Sequence, residues 1–435
     1  MNYDIKDISL APSGERKIAW VRDHMPLLRA MEKKYAGLPA KEKPLAGVKI
    51  SLSVHMEAKT AYLVRVLTWA GAQMQAMGCN VLSTQDDVAA ALAKGRTKGQ
   101  DAKDHGGPAV GGVPVFAIHG ESEKSYFKHA ADCLSHRPNI IVDDGGDLTH
   151  MLHAVKPGLA KEMWGGCEET TTGVIRLKAL EAEGLLKFPM VAVNDARCKH
   201  LFDNRYGTGQ SVWDSILRNT NLIVASKTVV VAGYGWCGRG IAMRAAALGA
   251  AVIVTEIDAV KAMEARMDGY QVMPMEQAAP LGDIFLTATG CKDVITLAHM
   301  AKMKDGAILG NAGHFNVEID MEGLSKKCVD RYPARAAIET FVLKNGKRVH
   351  VVAEGRLLNI AGADGHPAEI MDLSFAVQFH SVMYVMKNHA KLENKVYDVS
   401  NEIDDIVSRT RLAAWGVKID RLTKEQEKYL SSWSV

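Results

Sequence analysis

The sequence has few features that would mark a secreted, membrane-spanning or nucleic-acid-binding protein. Its seven cysteines are scattered without a C-x-x-C pair, which indicates free thiols in a reducing compartment. No apolar run reaches the roughly 18 residues of a membrane span, and residues 1–10 lack the apolar segment of a signal peptide. The net charge is only +3, so neither nucleic acid nor a membrane surface is an expected partner. We therefore expect a cytoplasmic protein.

The remaining composition is that of a globular protein with more than one core. Apolar residues make up 47% and charged residues 24% of the 435 residues, and a chain of this length is expected to form two domains. Apolar runs at 45–52, 80–84 and 140–144 predict strands, and 58–70 has a helical pattern. Strands that alternate with helices predict an α/β fold with a mostly parallel sheet. Residues 94–112, rich in Gly, Lys and Asp, are predicted to form a surface loop.

The most informative single motif is a glycine-rich loop. Gly233, Gly235 and Gly238 form a G-x-G-x-x-G pattern between a β-branched run and a predicted helix at 241–248. The first glycine allows a tight turn, the second lets the backbone approach a pyrophosphate, and the third lets the helix pack against the strand. The strands predicted for this sheet are 228–232, 251–255, 284–287 and 307–310. The pattern therefore predicts a Rossmann-type unit with the pyrophosphate at the helix N-terminus.

An acidic residue after the second of these strands indicates which dinucleotide binds. Glu256 follows Gly238 by 18 residues, where a carboxylate can accept hydrogen bonds from the adenosine ribose hydroxyls and repel a 2′-phosphate. NAD is therefore expected in preference to NADP. The alternative is a solvated acid at the end of a strand.

These patterns predict a division of the chain into four segments. Residues 1–209 form the first part of a substrate-binding, catalytic domain, and 210–365 form the NAD-binding domain. Residues 366–415 return to the substrate domain, and 416–435 form a helical oligomerisation tail. Tyr429 and Trp433, two aromatic residues in this tail, are available to pack against a neighbouring subunit.

Ordered motifs along the whole chain add a family resemblance. The motifs are His55-Met56, Asn80 to Asp86, Asp143 to Thr149, Glu168 to Gly173, Val193 to Asp195, Lys199 with Phe202 to Asn204, the glycine loop, Asn311 to Phe315, Glu354 to Asn359 and Gly365 to Pro367. With them the chain resembles S-adenosyl-L-homocysteine hydrolase over nearly its whole length.

The resemblance implies an activity, a cofactor and an assembly. It implies reversible hydrolysis of S-adenosyl-L-homocysteine to adenosine and L-homocysteine, by oxidation of the 3′-hydroxyl, elimination, water addition and re-reduction with a tightly bound NAD. It also implies a cytoplasmic homotetramer in the methyl cycle of one-carbon metabolism. The fold it implies is a Rossmann-type NAD-binding domain plus a larger α/β substrate domain, with a short helical C-terminal segment.

Four residues are expected to carry the chemistry. Lys199 and Asp203 are four residues apart, on one face if the segment is helical. The resemblance implies that this pair handles the proton of the 3′-hydroxyl; a surface ion pair is the alternative. His55 and Asp144 are expected to protonate the leaving sulfur and activate water. A structural histidine and a turn-forming aspartate are the alternatives for these two.

Further residues are expected to bind the ligands, and no metal site is expected. The expected substrate-binding residues are Glu57, Lys59, Thr60, Glu169, Thr170, His314, His366 and Met371, with Glu169 on the ribose hydroxyls. The expected cofactor-binding residues are Thr170, Thr171, Thr172, Asn204, Gly233, Gly235, Trp236, Cys237, Gly238, Glu256, Thr289, Asn311, Gly313, His314, Asn359 and His366. His366 belongs to a loop expected to close over the purine and keep out water.

Lys59 departs from the pattern of many family members, which have a Glu or Gln that accepts from the adenine amino group. Its ammonium has three donors and no acceptor and would suit the O6 of hypoxanthine, so S-inosyl-L-homocysteine is an alternative substrate. Glu57 would then accept from the purine or pair with Lys59, and a solvent-facing Lys59 is a further alternative.

Two other departures and two rival functions complete the expectations. Thr208 stands where family members often have a cysteine, so a thiol role there is not supported. The sequence ends without the extension that reaches the neighbouring subunit's NAD in long members, so we expect the cofactor to exchange more readily. The rivals are an ordinary NAD-dependent dehydrogenase, which would accumulate NADH, and a binding protein without chemistry.

Overall fold

A sheet of eight parallel strands forms the centre of the first half of the chain. The computed structural model describes residues 2–97 and 107–433. The strand order in this sheet is Asp4–Ile5, Val115–Ala117, Gln73–Met77, Lys49–Ser53, Ile140–Asp143, Gly165–Glu168, Met190–Ala192 and Val396–Asp398. The last of these strands comes from near the end of the chain, which therefore returns to its first sheet.

A second eight-stranded sheet contains the strands around the glycine loop. Its strand order is Gln271–Val272, Ala251–Thr255, Thr228–Ala232, Ile284–Thr287, Ala307–Asn311, Arg348–Val352, Ile338–Val342 and Asp330–Arg335. The first six strands pair in parallel and the last two add antiparallel. Buried β-branched and aromatic side chains on both faces make this the core of a Rossmann-type layer.

Helices cover both sheets. Those of the first half are Ala11–His24, Pro26–Tyr35, Ala58–Trp69, Asp86–Lys94, Glu123–Cys133, Asp147–His150, Pro157–Ala160, Thr171–Ala182 and Arg197–Lys199. Those that follow are Thr208–Thr220, Trp236–Ala247, Ala259–Met267, Met275–Ala278, Leu297–Lys302, Met321–Lys327, Leu358–Ala361, Ala368–Asn388, Asn401–Ala414 and Lys424–Ser431. Met151–Val155 and His200–Gly207 are π-helical. Short 3-10 turns occupy Ile8–Leu10, Ala40–Glu42, Val193–Asp195, Ala353–Gly355 and His389–Lys391.

The helix Ala58–Trp69 lies in the core of the first domain and is buried on all sides. It therefore carries few charges, and its one arginine is paired: Arg65 donates to the Glu15 carboxylate. Next to it, Tyr62 donates to Glu32 at 2.8 Å, and Glu32 also accepts from Arg22. Buried charges are tolerated only with partners of this kind.

Several predicted elements are confirmed within a residue or two. The strands Thr228–Ala232, Ala251–Thr255 and Ile284–Thr287 have the predicted bounds, and the helix predicted at 58–70 is Ala58–Trp69. These are the segments whose apolar pattern is uninterrupted and bounded by polar residues or glycine. The C-terminal segment is helical as predicted, at Lys424–Ser431.

Other predictions are wrong, for local reasons. Residues 80–84 form a turn, because the side-chain oxygen of Asn80 accepts from Leu82 N at 2.9 Å. The backbone carbonyl of Asn80 also accepts a hydrogen bond from the Ser83 hydroxyl. The neighbouring strand of the sheet is Gln73–Met77. The strand predicted at 45–52 begins only at Lys49.

Two further element bounds differ from the predictions. The helix predicted at 241–248 begins at Trp236, directly after the glycine turn. The predicted loop 94–112 is wrong in part. Gly95–Arg96 pairs with Val110–Gly111, and Arg96 is buried; residues 98–106 lie outside the described residues. In the described parts of the chain, no helix is long and apolar enough to cross a membrane.

Candidate active site

The carboxyl ends of strands from both sheets line one cavity of about 1600 Å³. In open parallel sheets, ligands bind at this edge because the loops that follow the strands meet there. His55, Asp144 and Glu169 follow strands of the first sheet. Gly233 and Glu256 follow strands of the second. Two ligands bound side by side in this cavity can therefore contact the strand ends of both sheets.

Almost every residue predicted for the site lines this cavity. The residues brought together are His55, Glu57, Lys59, Thr60, Asp144, Glu169, Thr170, Thr171, Thr172, Lys199, Asp203, Asn204, Gly233, Gly235, Trp236, Cys237, Glu256, Thr289, Gly313, His314, Asn359, His366 and Met371. The two predicted residues that the structure does not place on the cavity wall are Gly238 and Asn311.

Both of these residues shape the site from behind it. A Cβ at Gly238 would lie 1.9 Å from the Gly233 carbonyl oxygen, so the glycine permits the close approach of helix and turn. The Asn311 amide donates to the carbonyls of Phe315 at 2.8 Å and Gly355 at 3.0 Å, and its Oδ1 accepts from Gly313 N at 2.7 Å. Asn311 thus fixes the loop that carries Gly313 and His314.

Lys199 lies at the centre of the cavity's polar cluster. Its Nζ donates to Asn204 Oδ1 at 2.9 Å and Asn194 Oδ1 at 3.2 Å, and lies 3.6 Å from Asp203 Oδ1. The amine is also 3.9 Å from Glu169 Oε1. Lys199 and Asp203 are buried, so the surface ion-pair alternative is wrong. The segment between them is π-helical, which keeps the two side chains together as the helical spacing predicts.

Burial and the neighbouring charges set the protonation states of Lys199 and Asp203. Burial lowers the pKa of Lys199, but Asp203, Glu169 and Asp144 more than offset this, so the net pKa is raised. Burial raises the pKa of Asp203, whereas Lys199 and His366 lower it, and the net pKa is below the ordinary range. The pair is therefore an ammonium and a carboxylate.

Asp203 is held by two residues from the last quarter of the chain. The hydroxyl of Ser374 donates to its Oδ2 at 2.7 Å, and Nδ1 of His366 lies 3.0 Å from its Oδ1. The other ring nitrogen of His366 lies 3.2 Å from the Thr208 hydroxyl. Thr208, which stands where family members often have a cysteine, thus takes part in orienting His366.

Glu169 presents one free carboxylate oxygen to the cavity. Its Oε2 accepts from Gln378 Nε2 at 2.6 Å. Its Oε1 is buried and has no hydrogen-bond partner among the described residues. Burial raises the pKa of Glu169 to about 8, with Asp203 and Asp144 adding to the rise and Lys199 opposing it. An acceptor left unpaired in this way is costly unless a ligand donates to it.

Three further buried atoms on the wall also lack partners within the described part of the chain. They are Thr60 Oγ1, Thr172 Oγ1 and Asn359 Oδ1. Since buried polar groups in folded proteins are nearly always hydrogen-bonded, these unpaired atoms indicate polar ligands.

His55 and His314 flank Asp144 at another part of the cavity. His55 Nε2 lies 3.6 Å from Asp144 Oδ2, and His314 Nδ1 lies 3.8 Å from Asp144 Oδ1. His55 Nδ1 is 2.8 Å from the Ser83 hydroxyl. Burial lowers the pKa of His55 to about 4, although Asp144 opposes this shift. His55 is therefore a neutral imidazole here, oriented by Ser83.

Lys59 points into the cavity beside Glu57. Its Nζ lies 2.9 Å from Glu57 Oε2 and donates to the Asp364 carbonyl at 3.0 Å. Only 6% of Lys59 is exposed, so the solvent-facing alternative is wrong. Asp364 lies next to Gly365 and His366, so this contact ties the predicted closing loop to the helix Ala58–Trp69.

The glycine loop has the geometry that a pyrophosphate needs. Gly233 has a φ of +93°, which only glycine adopts without strain. The helix Trp236–Ala247 starts after Gly235 with no side-chain cap, so its first N–H groups point at the cavity edge. Glu256 accepts from Tyr234 N at 2.6 Å and Ile257 N at 2.7 Å. Its carboxylate is thus anchored beside the loop.

Several residues that position this site were not assigned a role from the sequence. Asn194, Ser374 and Gln378 hold the lysine–carboxylate cluster, as described above. Glu318 accepts from Thr289 N at 3.0 Å and Gly290 N at 2.8 Å and so fixes a loop of the second sheet. Ser374 and Gln378 gave a signal: they are polar residues one turn apart on a helix whose buried residues are mostly apolar. Asn194 occurs within a family motif, and Glu318 gave no clear signal.

A deeper carboxylate supports both Asp144 and Glu169. Glu168 Oε1 accepts from Gly145 N at 2.9 Å and Thr170 N at 3.0 Å, the residues that follow Asp144 and Glu169. Burial raises the pKa of Glu168 well above its ordinary value, and the nearby Asp143 and Asp144 raise it further. Glu168 is therefore a neutral acid that fixes two turns.

Comparison with known proteins gives full-length matches. A family model described as "S-adenosyl-L-homocysteine hydrolase" matches residues 2–164, and one described as "S-adenosyl-L-homocysteine hydrolase, NAD binding domain" matches 204–365. The adenosylhomocysteinase of Aquifex aeolicus (strain VF5) is 52% identical over 435 residues, with 100% of both chains covered.

Two archaeal relatives show the same extent of similarity. The adenosylhomocysteinase of Thermococcus kodakarensis is 52% identical, with 99% of this chain and 98% of the relative covered. The S-inosyl-L-homocysteine hydrolase of Methanocaldococcus jannaschii is 51% identical, with 99% of both covered. Relatives that share half of their sequence with this chain thus carry two different names.

The neutral state of Glu168 can be tested with Glu168→Gln. In the unfolded chain the carboxyl ionises above about pH 4.3, while the folded carboxyl stays protonated. As the pH rises, only the unfolded state of the wild type gains from ionisation, so the wild type loses stability relative to the variant. Thermal unfolding from about pH 5 to pH 8 should show the melting temperature of the variant gaining on the wild type.

Glu183→Gln, which removes an exposed carboxylate, is the control for this comparison. A difference in melting temperature that stays constant from about pH 5 to pH 8 would mean that Glu168 is ionised in the folded protein as well.

Proposed function

The chain belongs to the S-adenosyl-L-homocysteine hydrolase family, and from that premise we propose that it catalyses the reversible hydrolysis of S-adenosyl-L-homocysteine to adenosine and L-homocysteine. Its cofactor is NAD, since it carries the NAD-binding domain of that family. The observation that carries the proposal is the buried group of Lys199, Asp203, Glu169 and Asn204, which faces the same cavity as the glycine loop.

The residues present fit NAD. The uncapped N-terminus of helix Trp236–Ala247 suits the pyrophosphate, and Glu256 suits the adenosine ribose hydroxyls. Unpaired Thr172 Oγ1 and Asn359 Oδ1 offer hydrogen bonds to the rest of the cofactor. When bound, NAD supplies a hydride acceptor for the 3′-carbon of the substrate and returns the hydride at the end of the cycle.

The protein's own groups supply the proton transfers. A thioether at C5′ is a poor electrophile, and a ketone at C3′ makes the C4′ proton acidic enough for elimination. Lys199 passes its ammonium proton to Asp203 and then takes the proton of the 3′-hydroxyl, while Asn204 orients the amine. Once Asp203 has released its proton to water, the pair takes the C4′ proton in the elimination by the same relay. Glu169 Oε1 accepts a hydrogen bond from a ribose hydroxyl.

His55 and Asp144 act at the other end of the ribose. They exchange protons with the departing sulfur and with the water that adds at C5′. His366 and the Asp364 carbonyl, which Lys59 contacts, close this side of the cavity and limit the entry of bulk water. The substrate-binding domain accordingly comprises 1–209 and 366–415, with the NAD-binding domain at 210–365.

Substitution of the central pair tests the reaction. Lys199→Met and Asp203→Asn should each lower kcat for thiol release from S-adenosyl-L-homocysteine by about 10²–10⁴-fold, because an oriented proton-transfer group is lost. Lys326→Met is a matched control, since Lys326 is an exposed lysine that pairs with Glu322 four residues away and lies outside the cavity. Its activity should stay near the wild-type level.

Two outcomes would contradict the proposal. One is thiol release by Lys199→Met at the wild-type rate. The other is steady accumulation of NADH by the wild type with a nucleoside substrate, which would favour the dehydrogenase alternative. Bound NAD, measured after denaturation of each variant, separates loss of chemistry from loss of the cofactor.

The position of Lys59 favours a second candidate, hydrolysis of S-inosyl-L-homocysteine by the same steps. Its ammonium is buried in the cavity and offers a donor, which suits the O6 of hypoxanthine, and a relative of similar identity has that name. Adenosine would require a neighbouring acceptor, which Glu57 or the Asp364 carbonyl supplies.

The ratio of kcat/KM for the two thioethers distinguishes these substrates. Lys59→Gln adds an acceptor and removes the charge, so it should shift the ratio about tenfold or more toward the adenosine thioether. Lys326→Met should leave the ratio unchanged, because Lys326 lies outside the cavity. A strong adenosine preference that is the same in the wild type and Lys59→Ala would show that Lys59 does not read the base.

We further propose that the chain acts in the cytoplasm, in the methyl cycle, as a homotetramer with residues 416–435 as its oligomerisation tail. Trp415, Ile419, Leu430 and Trp433 are each more than half exposed, and a second copy of the chain would cover such apolar side chains.

Light scattering on the purified protein tests this assembly. The mass should be about four times 47.3 kDa, and Leu430→Asp with Trp433→Asp should lower it, because charges cannot be buried there. Lys428→Asp, a polar exchange on the same helix, is the control. A wild-type mass of one chain would overturn the proposal.

A further inference from the structure

Cys79 brings a thiol to the pair of His55 and Asp144. Its Sγ lies 3.7 Å from Asp144 Oδ2, and His55 Nε2 lies 3.6 Å from the same oxygen. One ligand atom from each of the three side chains lies within 4.8 Å of the others, the only such group of three among the described residues. The proposed hydrolysis assigns no task to the thiol.

We propose that His55, Cys79 and Asp144 form an inhibitory site for a thiophilic divalent cation such as Zn²⁺. Sulfur, imidazole nitrogen and carboxylate oxygen are the ligands that Zn²⁺ prefers. A tetrahedral ion with these ligands holds their atoms about 3.4 Å apart. The two separations from Asp144 Oδ2 therefore need to close by only a few tenths of an ångström, and the separation between the Cys79 sulfur and the His55 ring nitrogen, at most 4.8 Å, by no more than about 1.4 Å.

The surrounding residues orient these ligands. Ser83 Oγ lies 2.8 Å from His55 Nδ1, which leaves Nε2 directed toward Asp144. Hydrogen bonds of this kind to the second ring nitrogen are typical of metal-binding histidines. On the other side, the single proton of the Tyr126 hydroxyl is within reach of Asp147 Oδ2 at 2.6 Å and of the Cys79 carbonyl oxygen at 3.1 Å.

A fourth ligand and the local charge also suit a cation. His314 Nδ1 lies 3.8 Å from Asp144 Oδ1, and the rings of His55 and His314 are 6.1 Å apart between centroids. The fourth position is thus within reach of His314, or stays open for water. Asp143 and Asp147 lie near enough to Cys79 to act on its thiol by their charge. When the ion binds, Cys79 releases its thiol proton to solvent and ligates as a thiolate.

The inhibitory effect rests on the proposed function, whereas binding does not. An ion on His55 Nε2 and Asp144 Oδ2 occupies the two groups that would exchange protons with sulfur and water. Occupancy and loss of thiol release should therefore rise together, and a chelator should reverse both.

Titration of the NAD-loaded enzyme with Co²⁺ tests binding directly. We expect one ion per chain, with a thiolate-to-cobalt charge-transfer band and the visible bands of tetrahedral Co²⁺, all displaced by Zn²⁺. Cys79→Ser should abolish the charge-transfer band and weaken binding at least about tenfold, since a thiolate ligand is lost. Cys328→Ser, at a cysteine far along the chain in the second half, should leave the titration unchanged.

The outcomes are separable. Binding without a thiolate band in the wild type, or equal affinity in Cys79→Ser, would overturn the proposed site. Asp144→Asn, which keeps the side-chain shape, should also weaken Co²⁺ binding and gives a second test should the cysteine variant fold poorly. If the metal binds with the expected band but the metal-free, NAD-loaded enzyme releases no thiol, the proposed hydrolase function is wrong and the proposed metal site is supported.

Discussion

The structure around the cavity depends on keeping one ammonium group, that of Lys199, out of water. Removing a charge from solvent costs several kcal/mol unless partners replace the lost hydration. Here the partners are two amide oxygens and two carboxylates from three separate segments of the chain. Those segments must converge for the charge to be tolerated, so the need to solvate Lys199 fixes the relative positions of the groups that would act on the ribose.

The same need extends outward through a second set of residues. Ser374 and Gln378 each satisfy one oxygen of a carboxylate that faces the lysine. Glu168 fixes the turns beneath Asp144 and Glu169 while staying neutral, which avoids adding another negative charge to a crowded site. The oxygens and hydroxyls left unpaired on the wall are then the ones that a nucleoside or dinucleotide can satisfy.

Sequence patterns predicted this molecule best where local physics decides the outcome. Uninterrupted β-branched runs gave the strands of the second sheet, and the glycine pattern gave the dinucleotide loop. The strand predicted at 80–84 is wrong because the Asn80 side chain closes a turn there, although the apolar content of the segment favoured a strand. The family motifs contain about half of the residues that line the cavity. They could not show that Asn311 faces its own loop, or that Lys59 contacts the Asp364 carbonyl 305 residues away.

The helix Ala368–Asn388 gives the site an order of assembly. A ribosome releases Lys199, Asp203 and the glycine loop well before Ser374 and Gln378. Until that late helix packs against the first sheet, the carboxylates beside the lysine lack their neutral donors, and the cavity has no wall on that side. A chain that ends before this helix therefore contains all eight strands of the second sheet but lacks a finished reaction centre. Chemistry that depends on an oxidised, reactive sugar is thereby confined to chains whose synthesis is nearly complete.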